Sequence, residues 1–235
     1  MKLLTWNCQG AFRKKAPLLT ALQPTLVAIQ ECECPTKLRM PAGYHPADDF
    51  LWQGENLDKG VGVFAFGDWR LALDERYDPA FRHCIPLRSQ GEPDLHLLAV
   101  WAMGHRQKAR SYVGQVYHAV LHYADFLRER PTIVLGDFNS NAIWDRERAV
   151  SNHSALVKLL AEAGLVSVYH EYFGEAHGQE QQSTYFHQRS PHKGYHLDYC
   201  FVPQAWLARL KAVTVAPFTP WCDHSDHTPL IVEFT

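Results

Sequence analysis

Residues 133–141 read Ile-Val-Leu-Gly-Asp-Phe-Asn-Ser-Asn, and the rest of the chain can be read outward from them. Ile133, Val134 and Leu135 make a short run of branched and apolar side chains suited to a buried strand. Gly136 stops the run, and two short polar groups, Asp137 and Asn139, follow at alternate positions. A turn at a strand's end holds such groups rigidly above a packed core, which chemistry needs and solubility does not. A plain strand closed by an Asx-type turn fits the same nine residues, because Asp and Asn favour turns. Four other polar clusters beside apolar runs weigh against that plainer account.

On the N-terminal side, residues 2–6 read as a first strand that exits through Asn7-Cys8-Gln9-Gly10. Residues 14–22 have helical character, ended by Pro24. Residues 26–29 form a second buried-strand candidate with Gln30 and Glu31 at its carboxyl end. Residues 60–66 and 69–73 look like strands joined as a hairpin through Gly67-Asp68. Residues 95–102 make another apolar strand, followed by a basic loop, Gly104-His105-Arg106-Gln107-Lys108-Ala109-Arg110. The apolar stripe of residues 112–128 predicts one helix. On the C-terminal side, residues 151–163 predict a helix with Ser151 as N-cap and Gly164 as stop. Residues 165–172 fit a short helix or a strand. Residues 173–193 read as a long polar loop holding a short strand at 183–187. Residues 195–202 are a strand with Asp198 in its middle. A short helix at 203–210, a strand at 211–216, a polar loop at 221–227 and a final strand at 229–234 close the chain. Strands and helices interleave without repeat or linker, so the expectation is two packed sheets with helices outside, in one domain spanning 1–235.

The totals fit this. Of 235 residues, 46% are hydrophobic and 20% charged, enough apolar material for a real core. The net charge of −2 argues against broad electrostatic capture of nucleic acid, though not against a local basic patch. No apolar run approaches the roughly 20 residues that span a bilayer. The N-terminus turns polar too soon for a signal peptide, so the expected location is cytoplasmic. The six cysteines are scattered and read as buried thiols. Cys32-Glu33-Cys34 lacks the spacing of a structural zinc site.

Five acidic or amide clusters therefore stand beside strands: Asn7, Glu31, Asp137 with Asn139, Asp198, and Asp226 with His227. Carboxylates such as Glu31 and Asp226 suit a hard dication, Mg²⁺ or Mn²⁺. A further carboxylate can take a proton from water, and an imidazole paired with a carboxylate can hold or protonate a phosphoryl oxygen. Asn side chains orient water and phosphate without adding like charge. Asp198 inside an apolar strand needs a partner or solvent, and His227 is the candidate. The set fits metal-assisted attack of water on phosphorus.

Trp6-Asn7, Gln30-Glu31, Gly136-Asp137-Phe138-Asn139, His196-Leu197-Asp198-Tyr199 and Ser225-Asp226-His227 resemble, in order, the motifs of the endonuclease/exonuclease/phosphatase superfamily. That group includes exonuclease III, apurinic endonucleases and deoxyribonuclease I. The resemblance implies an α/β fold, a four-layer α/β/β/α sandwich of two packed mixed sheets with outer helices and the site at one end of the sheets. It also implies roles. Glu31 and Asp226 would hold the metal, with Gln9 beside them where some members carry an acid. Asp137 would activate water, Asn139 would orient it, Asn7 would contact phosphate or tune Asp137, and His227 would bind the phosphoryl oxygen, held by Asp198. Ser183-Thr184-Tyr185 resembles a segment that buttresses the site. Trp101 stands where many members place a proton-donating His or Tyr, leaving His105, Tyr112, Lys108 or bound water to help the leaving group.

The substrate is less constrained. Arg13-Lys14-Lys15 and Arg106-Lys108-Arg110 offer phosphate contacts from the rim, and Trp52, Tyr185, Phe186 and Tyr195 offer rings for stacking on bases. Arg13, His105, Arg106, Thr184, Tyr185 and His196 are accordingly the candidate substrate-binding residues. The leading expectation is a nuclease acting on DNA. The rivals are a phosphodiesterase or phosphatase for a small or lipid phosphoester, and a non-catalytic binding protein on the same fold.

Overall fold

A computed structural model describes residues 1–34, 36–37, 49–105, 107, 111–146 and 149–235. The first sheet takes β1 (Lys2–Asn7), β2 (Leu26–Cys32), β3 (Asp49–Asn56), β4 (Lys59–Ala65), β13 (Leu210–Val215) and β14 (Leu230–Phe234) in the order β13-β14-β1-β2-β4-β3. The second takes β5 (Arg70–Leu73), β6 (Cys84–Gln90), β7 (Leu95–Trp101), β8 (Thr132–Asp137), β9 (Leu165–Ser167) and β12 (Asp198–Pro203) in the order β5-β6-β7-β8-β12-β9. A two-stranded ribbon, β10 (Tyr185–Phe186) with β11 (Gly194–Tyr195), lies beside them.

Both sheets repeat one pattern. Each has a central parallel pair, β1–β2 in one and β7–β8 in the other, flanked on both sides by antiparallel neighbours. Parallel neighbours need a crossover. Helix α1 (Ala16–Thr20) lies in the first, and α2 (Val113–His122) with α3 (Ala124–Glu129) lie in the second.

The sheets pack face to face over side chains such as Leu3, Val63, Leu97, Leu135 and Val232, all essentially buried. Phe12, Ala16 and Leu19 cover the outer face of the first sheet, against Leu4, Trp6 and Ile29. Helices α2, α3 and α4 (His153–Glu162) cover the second, against Leu98, Val134 and Phe201. Four layers result, α/β/β/α, because each sheet presents an apolar face to the other and an apolar face to its helices. Among the described residues, no helix is long and apolar enough to cross a membrane.

Several local expectations are corrected. Residues 60–66 and 69–73 do not form a hairpin: β4 pairs within the first sheet and β5 within the second, so Gly67-Asp68 is a sheet-to-sheet passage. The helix expected at 112–128 breaks at Tyr123, whose buried ring sits against Phe81 and whose hydroxyl accepts from Asp78 N. Asn152, not Ser151, caps α4, its side chain accepting from Ala155 N at 2.8 Å. Residues 165–172 are both alternatives in succession, β9 followed by α5 (Val168–Phe173).

Candidate active site

The two parallel pairs decide where chemistry can gather. Asn7 and Glu31 are at the carboxyl ends of β1 and β2, and Asp137 is the last residue of β8. β12 and β14 run antiparallel to β8 and β1, so Asp198, the first residue of β12, and Asp226-His227, just before β14, come to that same edge. Asp198 is directly paired with Asp137 rather than standing mid-strand.

Asp137 is fully buried and collects three donors. Asn7 Nδ2 donates to its Oδ2 at 3.0 Å, Asn139 Nδ2 donates to Oδ2 at 2.9 Å, and Asn139 N donates to Oδ1 at 2.8 Å. Asn7 is oriented in turn, since its Oδ1 accepts from Gln9 N at 3.0 Å. His227 Nδ1 meets Asp198 Oδ2 at 2.8 Å, and its Nε2 stands 3.9 Å from Asp137 Oδ2. That last separation is too long for a hydrogen bond but short enough for one oxygen atom to contact both.

Burial raises Asp137 to about 7, against the pull of His227 and its three donors. Burial opposes charge on His227, but the Asp198 and Asp137 carboxylates outweigh it and push its pKa up to about 9. Both directions follow from geometry: a carboxyl cut off from water, and an imidazole between two carboxylates.

Asn7, Glu31, Tyr112, Asn139, Trp144, Tyr185, Leu197, Asp226 and His227 line an open cleft of about 430 Å³. Asp137, fully buried, is not part of its lining and is reached through Asn7, Asn139 and His227, which are. The Asp226 side chain makes no hydrogen bond among the described residues, while Glu31 Oε2 accepts from Lys59 Nζ at 2.5 Å. Two carboxylates in one open cleft, one free and the other holding a cation, have the donor chemistry for a hard dication. Asp137, Asp198 and His227 also bring ligand atoms within 4.8 Å of one another. Their buried hydrogen bonds suit proton handling better, and Glu31 and Asp226 are the carboxylates that line the open cleft.

The backbone carries a matching signal. Gln9, Glu31, Tyr112 and Asn139 all adopt left-handed φ of 44–56°. Such conformations cost of order 1–3 kcal/mol each in non-glycine residues and cluster at working sites. The loop after β1 is held by Lys15 Nζ, which donates to Cys8 O and Gly10 O.

Other expected residues fall elsewhere. The Gln9 carboxamide oxygen is occupied by Arg189 Nη2, so it is not offered to a metal. Thr184 and His196 are buried and do not face a ligand. Thr184 Oγ1 accepts from Leu197 N and Asp198 N, which buttresses Asp198, and His196 Nδ1 contacts Gln182 O at 2.8 Å. Arg13 pairs with buried Glu33. His105 lines a separate cavity with Lys59, His83 and Trp101. Arg106, Lys108 and Arg110 lie outside the described residues. Among the expected stacking rings, Tyr185 lines the cleft and Tyr195 packs on Trp144 at 5.1 Å. Phe186 is buried, and Trp52 is tied to Cys32 O.

Sequence reasoning missed Lys59 and Trp144. Lys59 has no motif around it. Trp144 follows the 137–141 motif closely, but its exposure of 49% distinguishes it only once the fold is known.

The sequence profile of the Endonuclease/Exonuclease/phosphatase family matches residues 4–227. This chain belongs to that family. Membership makes it a phosphoester-hydrolysing enzyme. Comparison with curated proteins finds no match. Among solved structures, an AP endonuclease from Archaeoglobus fulgidus is similar at a TM-score of 0.71 and 18% identity, covering 100% of this chain and 99% of its own. The 3′ phosphatase NExo from Neisseria, bound to a product DNA hairpin, is similar at 0.69 and 22% identity, with coverage of 100% and 99%. The endonuclease domain of TRAS1, a telomere-specific non-LTR retrotransposon, is similar at 0.67 and 15%, with coverage of 99% and 97%. These likenesses show the α/β/β/α fold.

Proposed function

We propose that residues 1–235 act as one divalent-metal-dependent nuclease domain that hydrolyses phosphodiester bonds, with DNA as the favoured substrate. The observation that carries this reading is the shape of the cleft. It shares Tyr112, Asn139 and Trp144 with a neighbouring cavity of about 440 Å³ lined by Asn141, Arg146 and Asn152. The two form one trough, walled by rings 50% and 49% exposed at Tyr112 and Trp144. An elongated trough with accessible rings and a cation suits successive nucleotides better than one compact headgroup. The NExo neighbour, bound to product DNA, adds support by analogy.

Glu31 and Asp226 would hold Mg²⁺ or Mn²⁺, which when bound supplies positive charge and Lewis acidity at the phosphoryl group. The chain does the rest. Asn7 and Asn139 hold the Asp137 carboxylate and present amide dipoles to the cleft floor. Asp137 takes the proton of a water admitted from the cleft to its Oδ2, which leaves His227 Nε2–H for the phosphate. His227, kept cationic by Asp198, donates a hydrogen bond to a non-bridging phosphoryl oxygen and stabilises the charge that develops there. Tyr112, at the cleft wall, hydrogen-bonds the leaving oxygen. A reducing compartment, the cytoplasm, suits the six free buried thiols.

The test incubates purified protein with plasmid, single-stranded DNA, RNA and a chromogenic diester, with Mg²⁺ or Mn²⁺ and with chelator. Cleavage of DNA that chelator abolishes is the expected outcome. Turnover of the small diester alone would instead favour a small-molecule phosphodiesterase. Asp137→Asn should lower the rate at least about 10³-fold while leaving the circular dichroism spectrum unchanged. Equal rates in variant and parent would remove Asp137 from the mechanism, and a parent inactive on every substrate would reopen the non-catalytic reading.

A further inference from the structure

The geometry points to a second metal site, made by His170, His177 and Glu180, for a borderline transition-metal dication of the Zn²⁺ class. It lies outside the cleft and plays no part in the chemistry proposed above.

His170 comes from α5, and His177 and Glu180 from the irregular segment that follows it. Each offers one ligand atom, and these atoms lie within 4.8 Å of one another. The His170 and Glu180 side chains are 7% and 4% exposed, with Nε2 and Oε1 at 3.0 Å. The His170 and His177 rings stack with centroids 3.5 Å apart and planes 21° apart, so the His177 ring must turn for both Nε2 lone pairs to meet one ion.

Each imidazole already has its other nitrogen engaged. His170 Nδ1 contacts Ser167 Oγ at 2.7 Å, and His177 Nδ1 contacts His153 Nε2 at 3.0 Å. His153 Nδ1 in turn meets Ser140 Oγ at 2.9 Å. Outer partners of this kind fix the tautomer and ring orientation of metal-bound imidazole. His177 Nε2 makes no hydrogen bond among the described residues. A cavity of about 360 Å³, lined by Ser167, His170, Glu175 and His177, gives an ion a way in.

Two imidazoles and one carboxylate with an open position match Zn²⁺ and its neighbours and not Mg²⁺, which prefers oxygen ligands and water. Tetrahedral bonds of about 2.0–2.1 Å need ligand atoms about 3.3–3.4 Å apart, so the widest pair must close by up to about 1.4 Å. The irregular segment carrying His177 and Glu180 can supply that movement. The site is also tied to the strand exit: Asn141 Nδ2 donates to Glu180 Oε2 at 3.0 Å. An ion here would clamp the segment after α5 onto the turn that begins at Asp137.

The experiment adds Zn²⁺, and Co²⁺ as a spectroscopic probe, to chelator-stripped full chain in excess Mg²⁺. The expected result is one bound equivalent, a tetrahedral Co²⁺ ligand-field band and a raised melting temperature. Glu31→Gln, which impairs the cleft, should keep the band. His177→Ala and Glu180→Gln should lose it, and Ser167→Ala should weaken binding about 10–100-fold. Glu180→Gln retains an oxygen for Asn141 and Gly178, so it serves if His177→Ala folds poorly. Absence of binding in the parent, a band that survives both ligand variants, or a band that disappears in Glu31→Gln would overturn the assignment.

Discussion

At the scale of single residues, the site is a proton pair held out of water. Asp137 is raised to about 7 by burial, and His227 is pushed up to about 9 by two carboxylates. Activity that needs Asp137 ionised and His227 protonated should therefore peak between those values. We expect kcat/KM to fall below about pH 7 and again above about pH 9. Asp198→Asn should move the alkaline limb to lower pH, because it removes the carboxylate 2.8 Å from His227 Nδ1. An alkaline limb unchanged in that variant would break the assigned partnership. Stability follows the same groups. His227, with a folded pKa above its ordinary 6.5, contributes stability that is full below 6.5 and lost as pH rises through about 9. Asp137, raised from 3.8, favours the folded state while protonated and loses that contribution as pH rises through about 7. Metal-free protein should thus melt lower at pH 9 than at pH 6, which calorimetry can check. These residues were legible in the sequence because each is a polar group beside an apolar run. Burial depth was not. The family resemblance implied that Asp137 activates water, and the fold adds that it is fully buried, held by Asn7 and Asn139.

At the scale of elements, the strand exit depends on Gly136. Its φ is +148°, and a Cβ there would meet the Val100 carbonyl oxygen in the paired strand β7. Gly136→Ala should cost about 2–4 kcal/mol in stability from strain and overpacking together. Because Asp137 is the next residue, activity should fall more steeply than stability does. Denaturant melts beside rates measured well below the transition would separate the two, and an Ala variant with parental rate would show that the strand exit tolerates displacement. Strands β1, β2, β7, β8 and β14 could be read from their nearly continuous apolar runs, which is what burial on both faces demands. β3 is half-buried along most of its length and gave no such run. β6 was hidden by Pro86, which a central strand should not contain. The register with β5 ends at Leu73–Leu87, and just beyond it Pro86 only accepts, its carbonyl oxygen taking Asp74 N–H at 3.0 Å, so the missing proline N–H falls where that ladder stops. The break at Tyr123 escaped because the apolar stripe continues across it through Phe126 and Leu127.

At the scale of the whole molecule, convergence was the part that periodicity could not supply. Which strands pair in parallel is a property of topology, and it is the two parallel pairs that bring residues 7, 31, 137, 198 and 226–227 to one edge. The ordered motifs pointed there only through their resemblance to a family. Charge is different, because the total bears directly on how a polyanion is held. The chain has 23 basic against 25 acidic residues, so attraction to DNA must be local. Among the described residues, the cations near the trough include Arg146 lining it, Lys59 on Glu31, Arg189 on Gln9, and Lys15, which is within electrostatic reach of Glu31 and Asp226 but spends its ammonium on Cys8 O and Gly10 O. Two or three phosphate contacts predict a log–log dependence of DNA affinity on salt with a slope of about −2 to −3. Arg146→Ala should lower the steepness by about 1 and weaken binding similarly for unrelated sequences. A parental slope steeper than about −6 would require an extended basic surface and would move DNA recognition away from this trough.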